Sequence, residues 1–483
     1  MEQINELKQI NAVSISKASC SLDLGDGSER AEYVSQDYII NKLGRPHRNI
    51  NIMYTYYPKD KEWPQRISEA CKDMEIHFQW DYPYDDYFPY GGGVGGSENA
   101  EPFNQIKDIR KHGQDVTLTL TIDCSLEDEY LYQIANDLKK YGRLRLRINH
   151  ECAGDWFTHN QRYSYKEIAD FFVRFNKIIK EVAPNILTVF CAGFITEDGK
   201  VEHEEEFLEA YRCADIWSGD CYLALHYGWP FDICEKDVPS YHCYTVKSFY
   251  ERLEKTSKRL TELNDGISKP LVISEFNTDG DVTGAIKQGD SIIKFAEMLK
   301  NNKADWFSGF TLYQFRDRGR LGLEHEDPNN CHVGIEQPLL YDYKKVLYDE
   351  YFMPNILNNG AVQFPIKMRW GAADDADGVE FKLELKKCPV FFEISFAEKL
   401  NLMIEVAGKW FYKSIKCNSV DLMPAFYDKG DYNGGEIGIR IFAPPLNGEN
   451  IEQQADDWNF NYYSEICEMP HFRIRYDSVE DII

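Results

Sequence analysis

Two short runs of this chain end an apolar stretch on a carboxylate. In RLRLRINHECAGDWF, residues 143–157, the stretch closes at His150-Glu151, and a glycine and two aromatics, Trp156 and Phe157, follow at once. In KPLVISEFN, residues 269–277, it closes at Glu275. Two carboxyls that face each other can divide the work of cleaving a glycoside. One keeps a proton and hands it to the leaving oxygen; the other stays ionised and attacks the anomeric carbon. The first needs burial or a charged neighbour to hold its proton, and the second needs donors that hold it ionised. Arg147, four residues before Glu151, and Tyr222, which closes the run DIWSGDCY, are the donors in view, with Tyr222 suited to Glu275. Taken singly, either glutamate also reads as an exposed strand end. Their joint position speaks for the paired chemistry.

That position depends on the elements around them. Eight short β-rich runs alternate with longer amphipathic segments: NINIMYTY (49–56), MEIHFQW (74–80), DVTLTLTID (115–123), RLRLRINHE (143–151), NILTVFCAGF (185–194), DIWSGDCY (215–222), KPLVISEF (269–276) and FSGFTLYQF (307–315). Many carry consecutive apolar residues, as strands buried on both faces do. The segments between them carry helix signals. One opens at Ser125 and stops at Gly142; another puts Phe171, Phe172, Phe175, Ile178 and Ile179 on one face and stops before Pro184. Eight strand-then-helix units predict an α/β fold, a (β/α)8 TIM barrel over residues 48–354. An open doubly wound sheet is the competing fold, weakened because no GxGxxG follows the first run; GGGVGG (91–96) has no strand directly before it and no lysine after it. After residue 354 the period changes to alternating strands with turn residues between, which predicts an all-β, sandwich-like accessory domain over 355–483. Residues 1–47 read as an N-terminal extension whose AVSISKASCSLDLGD is a strand pair joining the β-domain or a cap packed on the barrel. In such a barrel the chemistry lies at the C-terminal strand ends, so Glu151 and Glu275, on the fourth and seventh strands, face each other across its mouth.

With those residues in place, a resemblance appears. Arg147, His150, Glu151, Gly154, Trp156 and Phe157 fall on the acid/base motif of glycoside hydrolase family 26, in clan A of the retaining (β/α)8 glycosidases. KPLVISEFN resembles that family's nucleophile strand, with Glu275 in place. DIWSGDCY resembles its sixth strand, where a tyrosine supports the nucleophile, here Tyr222, and PNILTVFCAG its fifth. The family carries a Trp platform near the end of the eighth strand; this chain offers Tyr313 or Phe315. The resemblance covers about residues 48–350 and implies a retaining β-glycoside hydrolase acting on β-linked oligo- or polysaccharide of the mannan, glucan or xylan type. Glu151 is then the acid/base and Glu275 the nucleophile, with Arg147, His150, Trp156, Phe157, Tyr222, Tyr313 and Phe315 around the sugar. Trp80, at the head of the aromatic run WDYPYDDYFPY, is a further candidate for the substrate wall. Protons and a carboxylate suffice for this chemistry, so no cofactor and no metal is expected.

Bulk properties narrow the partners. A formal net charge of −26 repels phosphate backbones and anionic lipid heads, which argues against nucleic acid and membrane partners. Aromatics at 14% are enough to fill cores and also to line a groove for flat sugar rings. The 13 cysteines are odd in number and form no CxxC pair or zinc-like cluster, which suits a reducing compartment. No basic-then-apolar leader opens the chain, and a cytoplasmic location is expected. Self-association stays open. His150 and Glu151, as neighbours on a regular strand, point to opposite faces and so do not share a metal ion. EHEDPNN (324–330) reads as a solvated loop before a calcium site, and Cys152 has no evident base to activate it. Two rivals remain: a non-catalytic carbohydrate-binding protein on a barrel scaffold, in which geometry or a salt bridge disables one carboxylate, and an inverting or transglycosylating enzyme on the same barrel. The gap between the carboxyls separates retention from inversion.

Overall fold

The computed structural model describes residues 14–15, 20–25, 33–60, 62, 88–111, 114–141, 144–154, 156–226, 241–317, 319–352, 356–357, 364–368, 378–398, 402–406, 409–413, 418–426, 433–442 and 464–476. Eight parallel strands close into a barrel: β1 (Ser21–Gly25), β2 (Asn49–Tyr56), β3 (Asp115–Ile122), β4 (Leu144–Ile148), β5 (Ile186–Cys191), β6 (Ile216–Asp220), β7 (Leu271–Phe276) and β8 (Gly309–Leu312). A helix follows each one: α1 (Gln36–Leu43), α2 (Phe103–Lys111), α3 (Asp128–Leu138), α4 (Tyr165–Val182), α5 (Glu204–Cys213), α6 (Val246–Leu263), α7 (Ala285–Asn302) and α8 (Leu339–Leu347). The expected TIM barrel is therefore present.

Its first strand is not the expected one. Ser21–Gly25 lies in the segment read as an N-terminal extension, so the barrel opens near residue 20 and NINIMYTY is its second strand. MEIHFQW, read as the second strand, lies outside the described residues. The count from β3 onward is unchanged. The physical reason is Asp23. It is a buried acid in the middle of a five-residue strand, and it meets Arg145 of β4 at 3.0 Å. Burial pushes its carboxyl above the usual range while Arg145 pulls it down. A polar residue that finds its counter-ion on a strand far away in sequence makes a core strand look like surface.

The barrel lumen carries more polarity of this kind. Asn49 donates to Thr117 at 2.8 Å, and Thr119 donates to Asn51 at 3.2 Å. Arg147 donates through Nε to the Thr119 hydroxyl at 2.6 Å. The alternate residues of these strands (Ile50, Ile52, Val116, Leu118, Leu144, Leu146) are buried in the hydrophobic core that packs against the helices. Helix α4 shows how that layer is secured. Ser164 and Glu167 form a capping box at its start, and Phe171, Phe172, Phe175, Ile178 and Ile179 are buried along one face, as their spacing predicts. Each such side chain contributes roughly 1.5–3 kcal/mol of burial.

The barrel core runs from Cys20 to Phe352. A second core, including Phe381, Phe392, Ile394, Ile404, Ile439 and Ile441, belongs to the C-terminal antiparallel sheets. Strands Gly378–Leu385, Gly435–Phe442, Leu402–Val406 and Lys409–Lys413 form one sheet; Ser419–Asp421, Phe391–Ser395 and His471–Arg475 form another. Ser14–Ile15 pairs with Ile356–Leu357. Among the described residues no helix is long and apolar enough to cross a membrane.

Candidate active site

Strand β4 stops at Ile148, and the next residues leave the strand by an unusual turn. Asn149 and Glu151 both have left-handed backbone, at φ 50° and 52°. Asparagine tolerates this conformation and glutamate does so at a cost of about 1 kcal/mol. The turn is pinned on both sides. Asn149 accepts from the Ile122 amide at 2.6 Å at the tip of β3, and the Cys152 amide donates to the Cys191 carbonyl at 3.1 Å at the tip of β5. Because these residues lie beyond the strand, its alternation no longer applies. His150 and Glu151 line the same cavity, which corrects the expectation that they point apart.

Strands β6 and β7 do the opposite and stay paired past their ends. The Cys221 amide donates to the Glu275 carbonyl at 2.9 Å and the Leu223 amide to the Asn277 carbonyl at 2.8 Å. This extension holds Tyr222 beside Glu275, and its hydroxyl donates to Glu275 Oε2 at 3.0 Å. The other oxygen, Oε1, accepts from Arg147 Nη2 at 2.8 Å. Arg147 is wholly buried, and its Nη1 reaches both oxygens of Asp220 at 2.8 Å. Burial works against its charge, but Asp220 and Glu275 outweigh that and keep it a cation.

Asp220 is the residue that sequence reasoning left without a role. Oxygens of Glu151, Asp220 and Glu275 all lie within 4.8 Å of one another. Asp220 and Glu275 share the Arg147 guanidinium with Glu151 close by, which concentrates negative charge at this point. Burial, with Glu275 and Glu151 adding to it, pushes the Asp220 carboxyl well above its usual range against the pull of Arg147. The same three oxygens are the only group of donors among the described residues placed to hold a metal ion. Arg147 already supplies a positive charge at that point. The signal for Asp220 was an acid closing the sixth apolar run. Its partner sits two strands away in the barrel and 73 residues away in the chain.

The remaining predicted residues divide. The Trp156 indole donates to Glu151 Oε2 at 2.6 Å while its ring stays 46% exposed over the mouth. His150 is buried against Phe157, ring centroids 4.5 Å apart, and Phe157 stacks on His159 at 5.7 Å. Burial, helped by Arg147 and His159, pushes His150 well below its ordinary value, so the ring is neutral. Its Nδ1 has no hydrogen-bond partner among the described residues. Tyr313 lines the cavity edge-on to Tyr222, centroids 6.2 Å apart. Phe315 does not line it. It is fully buried in the barrel core, its amide bonded to the Gly25 carbonyl at 2.7 Å and its ring edge-on to Tyr38. The chain has by then turned back over β1, so Phe315 is a core residue and not a sugar platform. Trp80 lies outside the described residues.

These groups open into one cavity of about 610 Å³ over the C-terminal ends of β4 to β8. Its walls include polar residues that no motif singled out: Glu202, Arg252, His226 and Asp279. The His226 Nδ1 is bonded to Asp279.

No protein-family model matches the chain, and no curated protein matches it. Among solved structures it is similar to the catalytic domain of an endo-β-1,4-mannanase of family 26 from Bacillus sp. JAMB-750, at 12% identity over 71% of this chain and 88% of that one, with a TM-score of 0.44. It is also similar to an α-L-arabinofuranosidase from Thermotoga maritima, at 12% identity over 97% and 98%, TM-score 0.43. A family 39 glycoside hydrolase from Bacteroides cellulosilyticus WH2 matches at 11% over 88% and 80%, TM-score 0.40. All three are distant likenesses.

Proposed function

We propose that this protein is a retaining β-glycoside hydrolase acting on β-linked oligosaccharides or polysaccharides, with Glu275 as nucleophile and Glu151 as acid/base. The observation that carries this is the pair of glutamates facing one cavity with oxygens within 4.8 Å, one of them held on both oxygens. Glu275 receives a donor on each oxygen, from Arg147 at 2.8 Å and Tyr222 at 3.0 Å, which fixes the carboxyl a nucleophile needs toward the cavity. Glu151 accepts from the Trp156 indole on Oε2 and faces the cavity. In the first step Glu275 bonds to the anomeric carbon as the glycosidic bond breaks, and the proton of Glu151 passes to the leaving oxygen. In the second, Glu151 takes a proton from water as that water displaces Glu275.

The spacing supports retention. Oxygens of Glu151 and Glu275 fall within 4.8 Å, close to the roughly 5–5.5 Å of retaining pairs and short of the roughly 6.5–9.5 Å that admits a water for inversion. His150, which lines the same cavity as Glu151, is neutral and adds no charge to the pair. The binding-protein alternative expects a disabled carboxylate. The buried pair of Arg147 with Glu275 engages one oxygen only, so it orients the group and leaves lone pairs for attack.

The test is hydrolysis of aryl β-glycosides and short β-oligosaccharides carrying mannosyl, glucosyl, xylosyl and galactosyl units, by the wild type and by Glu151→Gln and Glu275→Gln. Cleavage of one sugar that both variants lose supports the assignment. Binding of a sugar without cleavage by the wild type supports the carbohydrate-binding alternative.

A further inference from the structure

Next to the Glu151 turn the same cavity has a second polar wall, built by residues between Gly193 and Arg252. The segment after β5 folds back on itself, with Ile195 bridged to Val201 and the Glu202 amide bonded to the Phe194 carbonyl at 3.3 Å. This puts the Glu202 carboxylate over Gly193, where a Cβ would collide with it; glycine at that position makes the approach possible. Among the described residues the carboxylate accepts no direct hydrogen bond. Arg252 Nη2 stands 3.7 Å from it, longer than the roughly 2.7–3.2 Å of a hydrogen bond. Burial pushes the Glu202 carboxyl above its usual range, with Arg252 pulling it down.

Arg252 is held firmly. Its Nε donates to the Ile195 carbonyl at 3.1 Å, its Nη1 reaches the Tyr244 hydroxyl at 3.4 Å, and its guanidinium lies over the Phe194 ring at 5.5 Å and the Tyr244 ring at 5.8 Å. The result is an acceptor and a donor, both fixed, facing one cavity with a gap between them. Adjacent hydroxyls of a sugar ring match such a pair, one donating and one accepting, while an aromatic edge such as Tyr244 packs on C–H groups. A phosphate or carboxylate would meet Glu202 head-on, so the ligand chemistry is that of a neutral sugar.

We propose that Glu202 and Arg252 form the binding position for the sugar unit on the leaving-group side of the cleaved bond. The side follows from the acid: the Glu151 turn is bonded to the tip of β5, and the Glu202 segment leaves from that same tip. This rests on the hydrolase proposed above, in which Glu151 protonates the leaving oxygen.

The experiment uses the full chain in two readouts. For the sugar that is cleaved, kcat/KM is measured with an aryl leaving group and with a second sugar as leaving group, for wild type, Glu202→Gln and Arg252→Lys. The expected result is a loss about 10- to 100-fold greater on the disaccharide than on the aryl glycoside, as for charge-assisted hydrogen bonds. Equal losses on both substrates, or none, overturn the proposal. Independently, binding of neutral β-linked trisaccharides is measured by calorimetry on Glu151→Gln, with and without Glu202→Gln. Weakening of about 10-fold or more supports the site even where the wild type cleaves nothing, in which case only the hydrolase fails. Unchanged affinity, or no binding of any sugar in the panel, overturns it.

Discussion

The Tyr222 hydroxyl donates to Glu275 Oε2 at 3.0 Å, across two strands that keep pairing after the barrel sheet has ended. The bond is buried, so its donor is not readily replaced by water. It fixes the direction in which the carboxylate faces the cavity.

Removing that donor while keeping the ring isolates its role. Tyr222→Phe is expected to lower kcat by about 10- to 100-fold, the range for a hydrogen bond to a charged group, with little change in thermal unfolding. Steady-state rates on the cleaved glycoside measure this. A variant within twofold of wild type would mean that Tyr222 only packs.

Arg147 is the counter-ion for two buried carboxyls, at 2.8 Å from each. Arg147→Met is expected to cost about 3–5 kcal/mol of stability, because it leaves buried charge uncompensated. Adding Asp220→Asn to the same chain should recover part of that loss. Urea unfolding of the single and double variants decides it, and a single-variant loss under about 1 kcal/mol contradicts a paired cluster.

The imidazoles set an acid limit. Burial pushes His47 and His159 down to about 3, and His150 is also depressed. Above about pH 6.5 these rings are neutral in both the folded and the unfolded chain. Below it the unfolded chain takes up protons that the fold refuses, so stability is lost as pH falls from about 6.5 toward about 3, at about 1.4 kcal/mol per pH unit for each ring. Chemical unfolding at a series of pH values should show this slope, reduced by one ring's share in His159→Gln. Identical slopes for the two proteins would refute the burial of that ring.

Tyr313 and Phe315 stand two residues apart and should fail differently. Phe315→Ala creates a core cavity and is expected to cost about 3–5 kcal/mol while leaving KM near the wild-type value. Tyr313→Ala is expected to raise KM, since that ring lines the cavity beside Tyr222. Calorimetric melting together with Michaelis–Menten analysis separates them; a KM defect confined to Phe315→Ala would reverse the assignment.

Much of this was legible in the order of residues, and the exceptions share a cause. Strands β3 to β8 are runs buried on both faces, flanked by helices with apolar stripes, and local patterning suffices to read them. Strand β1 is five residues long and centred on Asp23, whose burial makes sense only with Arg145, 122 residues away. Glu151 and Glu275 announced themselves by ending apolar runs. Asp220 also ended one, but its place in the cluster depends on Arg147 reaching it across the barrel. Phe315 and Tyr313 look equivalent in LYQFRD, and the turn of the chain over β1 sends one to the core and the other to the cavity. Glu202 and Arg252 lie in a loop and on a helix, 50 residues apart, where no period connects them. Non-local pairing of polar groups is the information that local pattern does not carry.

The most direct measurement is to trap the covalent intermediate. The wild type is incubated with the 2-deoxy-2-fluoro derivative of the glycoside it cleaves, then digested, and the modified peptide is sequenced by mass spectrometry. The mechanism proposed here predicts a single glycosyl adduct on Glu275, with none in Glu275→Gln. An adduct on Asp220 or Glu151, or turnover with inverted configuration and no adduct, would contradict it.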